Sequence, residues 1–274
     1  MLRQTRTQAL VLTGLTLFTI FSLTPIVWAL LISIREPIDA FSIPPKILVE
    51  PTFRYHGEIW LERGFLGFFV NSAIIAAGTV LISVPVGTLA AYALSRIQTR
   101  TSRSLLMSLL VVRMFPHVLL VIPFFVMARS LEMINTYPAM IAAMVALNQP
   151  FTVWLMRSFF LEIPRELDEA AYIDGCNAWQ AFWNVILPLA RPGMVVTSLF
   201  SLLLAYNEFL FALVLTGSDT KTLPVAIAEY GGEDLNYWSL SAAGAIGIML
   251  PILTFMLFFQ RHLVRGLTVG AVKG

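Results

Sequence analysis

The side chains best suited to engage another molecule lie in the stretch EAAYIDG, which runs from Glu169 to Gly175. Its two carboxylates, Glu169 and Asp174, can form ion pairs with cations of a partner. The small side chains of Ala170 and Ala171 let another protein surface approach closely. This is the chemistry of docking rather than of bond making, so the pattern predicts an interaction element.

Bond-making chemistry has little support elsewhere in the chain. The only cysteine is Cys176, and the three histidines are far apart in sequence, so no spaced set of metal ligands exists. No G-x-x-x-x-G-K-[ST] segment is present to cradle a nucleotide phosphate. We expect no catalytic residue, no metal site and no ATPase of its own.

Local signals around EAAYIDG predict two short helices joined by a bend. Pro164 suits a first helical turn, and the acids Glu166, Asp168 and Glu169 follow where the helix dipole favours them. Gly175 is typical of a helix C-terminus. One helical face should carry four residues of this stretch: Leu167, Ala170, Ala171 and Asp174.

The second helix should begin at Asn177, because Asn177 and Gln180 have the spacing of a capping box. Pro188 should limit this helix. The whole segment is therefore expected to be short, bent and mostly helical.

Composition places the rest of the chain in a membrane. The 274 residues are 58% hydrophobic and only 12% charged, whereas soluble domains have about 25% charged residues. Six apolar runs are each long enough to cross a hydrocarbon core of about 30 Å as a helix. They are Ala9–Ile34, Phe68–Ser95, Leu105–Met127, Tyr137–Phe160, Met194–Thr216 and Ser239–Gln260. We therefore expect an all-α polytopic membrane protein.

Lys and Arg are more frequent in the segments that lie inside if the N-terminus is cytoplasmic, which predicts an N-in, C-in orientation. The chain is then a single membrane domain, 1–274. Segment 161–192 and the tail 262–274 face the cytoplasm, and loops 35–67 and 217–238 lie outside. None is long enough for an ATPase domain, and the formal net charge of +2 gives no sign of nucleic-acid binding.

The stretch that begins at Glu169 resembles the EAA motif of binding-protein-dependent ABC importer permeases. The matching residues are Glu169, Ala170, Ala171, Asp174, Gly175, Phe182, Val185, Leu187 and Pro188. Two positions depart from the motif: Val185 stands where isoleucine is usual, and Cys176 where alanine is common.

Other segments are similar to the maltose-type carbohydrate permease subunit, the smaller six-span partner of the permease pair. They include AAYALSRI (90–97), RMFP (113–116), INTYPAMI (134–141), WLMRSFF (154–160), YNEFLFAL (206–213) and GLTVGAVKG (266–274). Tyr206 replaces a tryptophan common in that family. The resemblance covers nearly the whole chain.

The resemblance implies the type I ABC importer permease fold in a bacterial cytoplasmic membrane. It implies transport of a sugar or related polyhydroxy solute along a path shared with a second permease subunit. Two ATPase subunits, which hold ATP and Mg, would dock on the EAA segment, and an extracytoplasmic solute-binding protein would deliver the solute. No cofactor is expected on this chain.

Two further contacts follow from the resemblance. The tail, with Gly266, Leu267, Val272 and Lys273, would contact the ATPase subunits, although its glycines argue against a stable isolated helix. The outer loop after the fifth span, with Glu229, Gly231 and Gly232, would reach the binding protein.

Polar residues within spans are candidates for the substrate path. Asn148, in a segment expected to break the fourth span at Pro150, and Asn207 and Glu208 in the fifth could line a polar cavity, with Tyr206 beside them. Alternatively, the charges of Arg113 and Glu208 are buried, and each is paired with backbone groups or with the partner permease.

Alternative functions stay open at this stage. The solute could be a polyol, glycerol phosphate or another sugar derivative. A stand-alone secondary transporter is a different class, disfavoured by the motif and by the lack of a detectable inverted repeat. Small-residue rows such as Gly87-x-x-x-Ala91, Ser241-x-x-x-Ala245 and Ala243-x-x-x-Gly247 predict helix packing.

Overall fold

The computed structural model describes every residue except 1, 41, 43–45, 47–49, 231–236 and 270–274. The described residues form thirteen α-helices and two π-helical turns, with no strand among them. In chain order the α-helices are α1 (Leu2–Ser33), α2 (Pro37–Ala40), α3 (Arg54–Gly57), α4 (Phe65–Arg96), α5 (Arg100–Met114), α6 (His117–Ser130), α7 (Tyr137–Glu162), α8 (Glu166–Ile173), α9 (Ala178–Ala181), α10 (Leu187–Tyr206), α11 (Leu210–Leu215), α12 (Leu223–Tyr230) and α13 (Trp238–Val269). The π-helical turns are Glu58–Glu62, which follows α3, and Phe182–Ile186, which joins α9 to α10.

Five helical stretches within the described residues are long and apolar enough to cross a bilayer. They are Gln8–Ser33, Phe65–Arg96, Tyr137–Glu162, Ala178–Tyr206 and Trp238–Phe258. The pair α5 and α6 passes the same test only together, so the count is six if that pair is one span. The expectation of a polytopic all-α chain is confirmed.

The third predicted span is not one straight helix. The axes of α5 and α6 are bent by 95° at the break between Met114 and His117. Phe115 has an extended backbone, with φ −62° and ψ 133°, as a residue before proline prefers, and Pro116 has no N–H to continue the helix. The expected span Leu105–Met127 is therefore two helices that meet at nearly a right angle.

The fourth predicted span behaves in the opposite way. Helix α7 runs without interruption through Asn148 and Pro150, so the expected break at this point is wrong. Both residues are buried, and the side-chain amide of Gln149 donates a hydrogen bond to the carbonyl of Ser83 at 3.2 Å. Membrane helices tolerate an internal proline where neighbouring helices surround it.

The fifth and sixth spans also differ from their predicted bounds. Helix α10 ends at Tyr206, and α11 begins only at Leu210, so the expected run Met194–Thr216 contains a break. Helix α13 continues to Val269, beyond the expected end at Gln260.

The chain divides into two compact units. One comprises Met1–Gly67 with Ala226–Pro251, and the other Phe68–Val225 with Ile252–Gly274, as far as their residues are described. In the first unit Gly247 lies against the indole of Trp60: a Cβ on that glycine would be 2.0 Å from Trp60 Cζ2. Gly244 lies similarly close to Ile59 and Ile227. The row Ala243-x-x-x-Gly247 is thus a packing surface, as predicted.

In the second unit α4 packs against α7 through small residues. A Cβ on Gly87 would be 2.4 Å from Thr152 Cγ2, and one on Gly78 would be 2.6 Å from Ile141 Cδ1. Ala91, one turn beyond Gly87, is fully buried. The predicted packing role of the Gly87-x-x-x-Ala91 row is confirmed.

Below this contact lies an apolar core at the end of the unit that the positive-inside rule assigns to the cytoplasm. It is formed by buried side chains of α4, α7, α10 and the second π-helical turn: Ala91, Val153, Met156, Phe160, Phe182, Ile186 and Ala190. The ring of Tyr92 lies 5.5 Å from that of Phe160 and 4.9 Å from that of Phe182. This core supports the segment that contains the EAA motif.

Candidate functional site

Two consecutive acids of helix α8 differ in their exposure to solvent. Asp168 is only 6% exposed, whereas Glu169 is exposed. The chain enters the helix at Arg165, whose carbonyl accepts hydrogen bonds from the backbone N–H groups of Asp168 and Glu169. Pro164 therefore precedes the helix instead of lying in its first turn. One acid is available to anchor the helix and the other to contact a partner.

Asp168 anchors α8 to the end of α4. Its Oδ1 accepts a hydrogen bond of 2.6 Å from the hydroxyl of Tyr92. Its Oδ2 lies 2.9 Å from Nη2 of Arg96, in an ion pair that lacks the angle of a hydrogen bond. The guanidinium of Arg96 also lies 5.8 Å from the centre of the Tyr92 ring. Such a buried charge is tolerated because it is paired.

The same arginine also binds the end of α7. Arg96 donates hydrogen bonds to the carbonyls of Phe160, at 3.1 Å, and Ile163, at 3.2 Å, where α7 ends. Arg165 donates to the carbonyl of Ser95 at 3.2 Å. These contacts satisfy carbonyls that helix termini leave without intrahelical partners. We call Tyr92, Arg96 and Asp168 the anchor cluster.

The bend after α8 has the geometry that the sequence predicts. Gly175 adopts φ +87°, a left-handed conformation that glycine enters with little steric cost. The N–H of Cys176 donates to the carbonyl of Ala171 at 2.9 Å, which closes the helix. Asn177 and Gln180 form the predicted capping box, with both of its hydrogen bonds at 2.9 Å.

The second helix is not short, and Pro188 does not end it. Helix α9 passes through the π-helical turn directly into α10, so that Ala178–Tyr206 is one candidate membrane span. Pro188 lies in the first turn of α10, where a missing N–H is tolerated. The expected pair of short helices is thus one short helix followed by the base of a long one.

The motif residues divide between an outer and an inner set. The outer set is exposed and comprises Glu169, Ala170, Asp174 and Gly175. Ala171 and Phe182 are buried, and Val185, Leu187 and Pro188 are half-buried. The expectation that Ala171 offers its surface to a partner is therefore wrong, because it packs inward beside Asp168. Leu167, Ala170, Ala171 and Asp174 do not share one environment.

Large apolar side chains accompany the outer set. Ile173 is 86% exposed and Trp179 is 59% exposed, and the rings of Trp179 and Trp183 lie 5.6 Å apart. An exposed patch of aromatic and aliphatic side chains that is rimmed by polar residues is typical of an interaction site. This docking face, defined as Glu169, Ala170, Ile173, Asp174 and Trp179, is held in place by the anchor cluster.

The predicted substrate-path residues occupy separate environments. Asn148 is buried and donates to the carbonyl of Met144, one turn earlier in its own helix. Asn207 is exposed and donates to the carbonyl of Leu203. Tyr206 is buried, and its hydroxyl has no hydrogen-bond partner among the described residues. The side-chain hydrogen bonds described here do not join these residues to one another.

Glu208 is not inside a helix. It lies in the break between α10 and α11, where its Oε1 accepts a hydrogen bond of 3.1 Å from the N–H of Phe211. The backbone contact that one of the alternatives gave for Glu208 is therefore present. Arg113 has its guanidinium 5.7 Å from the centre of the Phe151 ring.

The loop and tail residues are only partly described. Glu229 belongs to α12, a helix whose Leu223 and Ala226 are fully buried. Gly266 and Leu267 lie within α13, where they continue the helix of the last span and do not form an isolated helix. Gly231, Gly232, Val272 and Lys273 lie outside the described residues.

Sequence reasoning missed the anchor cluster. Tyr92 and Arg96 are four residues apart and therefore share a face of α4, and an arginine at the end of an apolar span was visible. Nothing local links them to an aspartate more than seventy residues away.

Comparison with known proteins places the chain in a family. The family model for the inner membrane component of binding-protein-dependent transport systems matches residues 83–269, which include the anchor cluster and the docking face. A probable ABC transporter permease protein, y4oR, of Sinorhizobium fredii is 38% identical over 92% of this chain and 90% of its own length. The trehalose transport system permease protein SugB of Mycobacterium tuberculosis is 37% identical over 94% of this chain and 95% of its own.

Solved structures show the same fold. A chain of a bacterial ABC transporter involved in the import of alginate superposes with a TM-score of 0.77, covering 94% of this chain and 97% of that one at 22% identity. A chain of the MetNI methionine ABC transporter gives a TM-score of 0.60 over 76% of this chain and 97% of its own, at 20% identity. The chain belongs to the family of inner membrane components of binding-protein-dependent transport systems, the multi-pass permease subunits of ABC transporters, whose ATPase is a separate chain.

Proposed function

We propose that this permease subunit serves an ATP-driven importer of a sugar or a related polyhydroxy solute. Two relatives that match this chain over most of their length are permeases named for sugars. One is named for trehalose, and the other, from Thermococcus litoralis, for trehalose and maltose. A relative in Agrobacterium fabrum, 32% identical, is named for sulfoquinovosyl glycerol, which favours a sugar derivative as the second candidate. Both candidates share the hydroxyl-rich chemistry expected of the substrate.

The assembly that we propose contains a second permease subunit, two ATPase subunits and an extracytoplasmic solute-binding protein. ATP and Mg would be held by the ATPase chains. The α12 region, which includes Glu229, would face the binding protein, and the tail beyond Leu267 would approach the ATPase subunits. The family match supports binding-protein-dependent transport in general.

One observation carries the proposed coupling role: Glu169 and Asp174 are exposed, while the adjacent Asp168 fixes α8 to α4. Arg96, the partner of Asp168, also binds the end of α7. A docking face that is rigidly joined to membrane helices can transmit a rigid-body motion of a bound motor. Glu169 would pair with a cation of the ATPase subunit, and the exposed Ile173 and Trp179 would fill an apolar cleft beside it.

The test is the charge reversal Glu169→Lys in the assembled transporter in proteoliposomes. Removing one member of a buried interfacial charge pair costs about 2–5 kcal/mol, so we expect the ATPase to dissociate or to hydrolyse ATP without transport. Glu132→Lys, at an exposed acid in the turn between α6 and α7, is the matched control and should behave as wild type. Normal transport and normal substrate-stimulated hydrolysis in Glu169→Lys would contradict the proposal.

The substrate class has an independent test. The cognate binding protein should retain a sugar or sugar derivative that mass spectrometry can identify, and that compound should stimulate ATP hydrolysis by the intact complex. Retention of an amino acid or a metal ion would contradict the substrate class without affecting the coupling role.

A further inference from the structure

A second cluster of arginines lies at the turn between α4 and α5, away from the docking face. It surrounds a cavity of about 550 Å³ that is lined by Leu94, Ile97, Gln98, Thr99, Arg100, Ser102, Arg103, Leu106 and Arg157. Three of the lining residues are cationic and none is acidic. The cavity is as large as sites that hold small organic molecules.

The arginines of this cavity differ from Arg96 in having no protein carboxylate. Within the part of the chain that the structure describes, the ion pairs are Lys46–Asp39, Arg63–Glu58 and Arg96–Asp168, so Arg100, Arg103 and Arg157 take part in none. Arg157 is held in place by a hydrogen bond of 3.3 Å from its Nε to the carbonyl of Leu94. This bond fixes the orientation of the Arg157 guanidinium, while its positive charge is not paired with a carboxylate of the described residues.

Hydroxyl groups add to the anion-binding character of the cavity. The side chain of Thr99 caps α5 by accepting a hydrogen bond from the N–H of Ser102, and the two hydroxyls lie 3.2 Å apart. Arg100 and Arg103 are three residues apart and share a face of the same first turn. Guanidinium groups bind phosphate oxygens through pairs of parallel hydrogen bonds, which suits them to a phosphate ester.

The position of the cavity selects among phosphate-bearing ligands. Leu94 and Arg157 lie near the ends of two candidate spans, Phe65–Arg96 and Tyr137–Glu162. Ile97, which lines the cavity, is more than half exposed, and so are Leu105 and Met107, which flank the lining residue Leu106 in sequence. Cationic and apolar surfaces therefore meet at the depth where a phospholipid places its phosphate above its acyl chains. The cytoplasmic leaflet, to which the positive-inside rule assigns this end, is the one rich in anionic lipid.

We propose that this cavity binds the headgroup phosphate of an anionic phospholipid, with Arg100, Arg103 and Arg157 as its ligands. The lipid would lie with its headgroup in the cavity and its acyl chains along Leu105 and Met107. It would hold the α4–α5 turn at the membrane surface without forming part of the solute path or of the docking face.

The experiment uses the assembled transporter in nanodiscs of phosphatidylcholine that contain a photoactivatable phosphatidylglycerol. Wild type should be labelled within the peptide that spans Leu94 to Met107. The variant R100Q/R103Q changes two exposed side chains and should reduce this labelling about twenty-five-fold, since each basic residue near an anionic surface contributes about fivefold to binding. Arg191→Gln, at an exposed arginine outside the cavity, is the matched control and should be labelled as wild type.

Three results would overturn the proposal. Equal labelling of R100Q/R103Q and wild type would exclude the arginines as ligands. Abolition of labelling by excess inorganic phosphate, but not by sodium chloride of the same ionic strength, would assign the cavity to a free phosphate group. A structure of the complex in which another protein chain fills the cavity would assign it to an interface. Substitution of Arg157 is tested separately, because its bond to Leu94 also contributes to packing.

Discussion

The carboxylate of Asp168 lies 2.9 Å from the guanidinium of Arg96, while the next carboxylate along the chain, Glu169, is exposed. Two adjacent acids thus have different physical tasks. The first is paired in a nearly dry environment and fixes the position of α8. The second remains available to a partner, so its substitution can alter a partner contact while the buried pair stays intact.

The variant Asp168→Asn should destabilise the inner end of the subunit. Removing one charge of a buried pair leaves the other uncompensated, at a cost of about 3–5 kcal/mol. We expect a lower midpoint in thermal unfolding of the purified permease subunit, and weaker association of the ATPase in the complex. Glu169→Gln alters a carboxylate that is exposed in the subunit itself, so it should change the unfolding free energy of the purified subunit by no more than about 0.5 kcal/mol. Equal unfolding midpoints for the two variants would show that Asp168 is not an anchor.

Gly175 is the residue at which the bend depends on backbone conformation alone. At φ +87° a side chain is strained, yet a Cβ there would meet no atom within 4 Å. Gly175→Ala should therefore cost about 1–2 kcal/mol through its backbone. Gly175→Asn should cost less, because asparagine tolerates the left-handed region better. A strained bend should also lower the number of solute molecules transported per ATP hydrolysed, and this ratio is the measurement. A lower ratio in Gly175→Asn than in Gly175→Ala would contradict this account.

Gly87 tests the packing of α4 against α7. A Cβ would be only 2.4 Å from Thr152 Cγ2, so Gly87→Ala must displace Thr152 or the helix that carries it, and should cost about 1–3 kcal/mol. Gly14→Ala is the control, since a Cβ at Gly14 of α1 would meet nothing within 4 Å. The midpoint of thermal unfolding should be lower than that of wild type for Gly87→Ala but not for Gly14→Ala. A stabilised Gly87→Ala would mean that the helices separate freely at this point.

Glu208 distinguishes a structural from a substrate-binding role at the break before α11. Because its Oε1 accepts the N–H of Phe211 at 3.1 Å, Glu208→Gln can keep the bond and should retain transport. Glu208→Ala should lower the free energy of unfolding by about 1 kcal/mol, as the removal of a helix cap does. Transport kinetics and thermal unfolding of both variants provide the measurement. If Glu208→Gln is as inactive as Glu208→Ala while unfolding normally, the negative charge itself acts on the solute.

Local chemistry explains which features were predictable. The bend at Gly175 and the capping box at Asn177 depend on residues within a few positions of each other, and both are confirmed. The pairing of Asp168 with Arg96 depends on how distant helices meet, which no local pattern specifies. Prolines were the main source of error: Pro150 continues a helix, Pro188 begins one, and Pro116 ends one. Their effect depends on neighbouring helices and on position within a turn, and neither is visible in the proline itself.

Helix α9, the π-helical turn and α10 form one continuous helical segment that ends at Tyr206. Its 29 residues correspond to about 44 Å at 1.5 Å per residue. A tilt of about 5° at the base would move the far end by roughly 4 Å over that length. The far end is the break at Asn207 and Glu208, where the chain leaves the rod. A small push beside the docking face can thus become a displacement larger than a bond length at the opposite end, with no need for any residue between them to change its conformation.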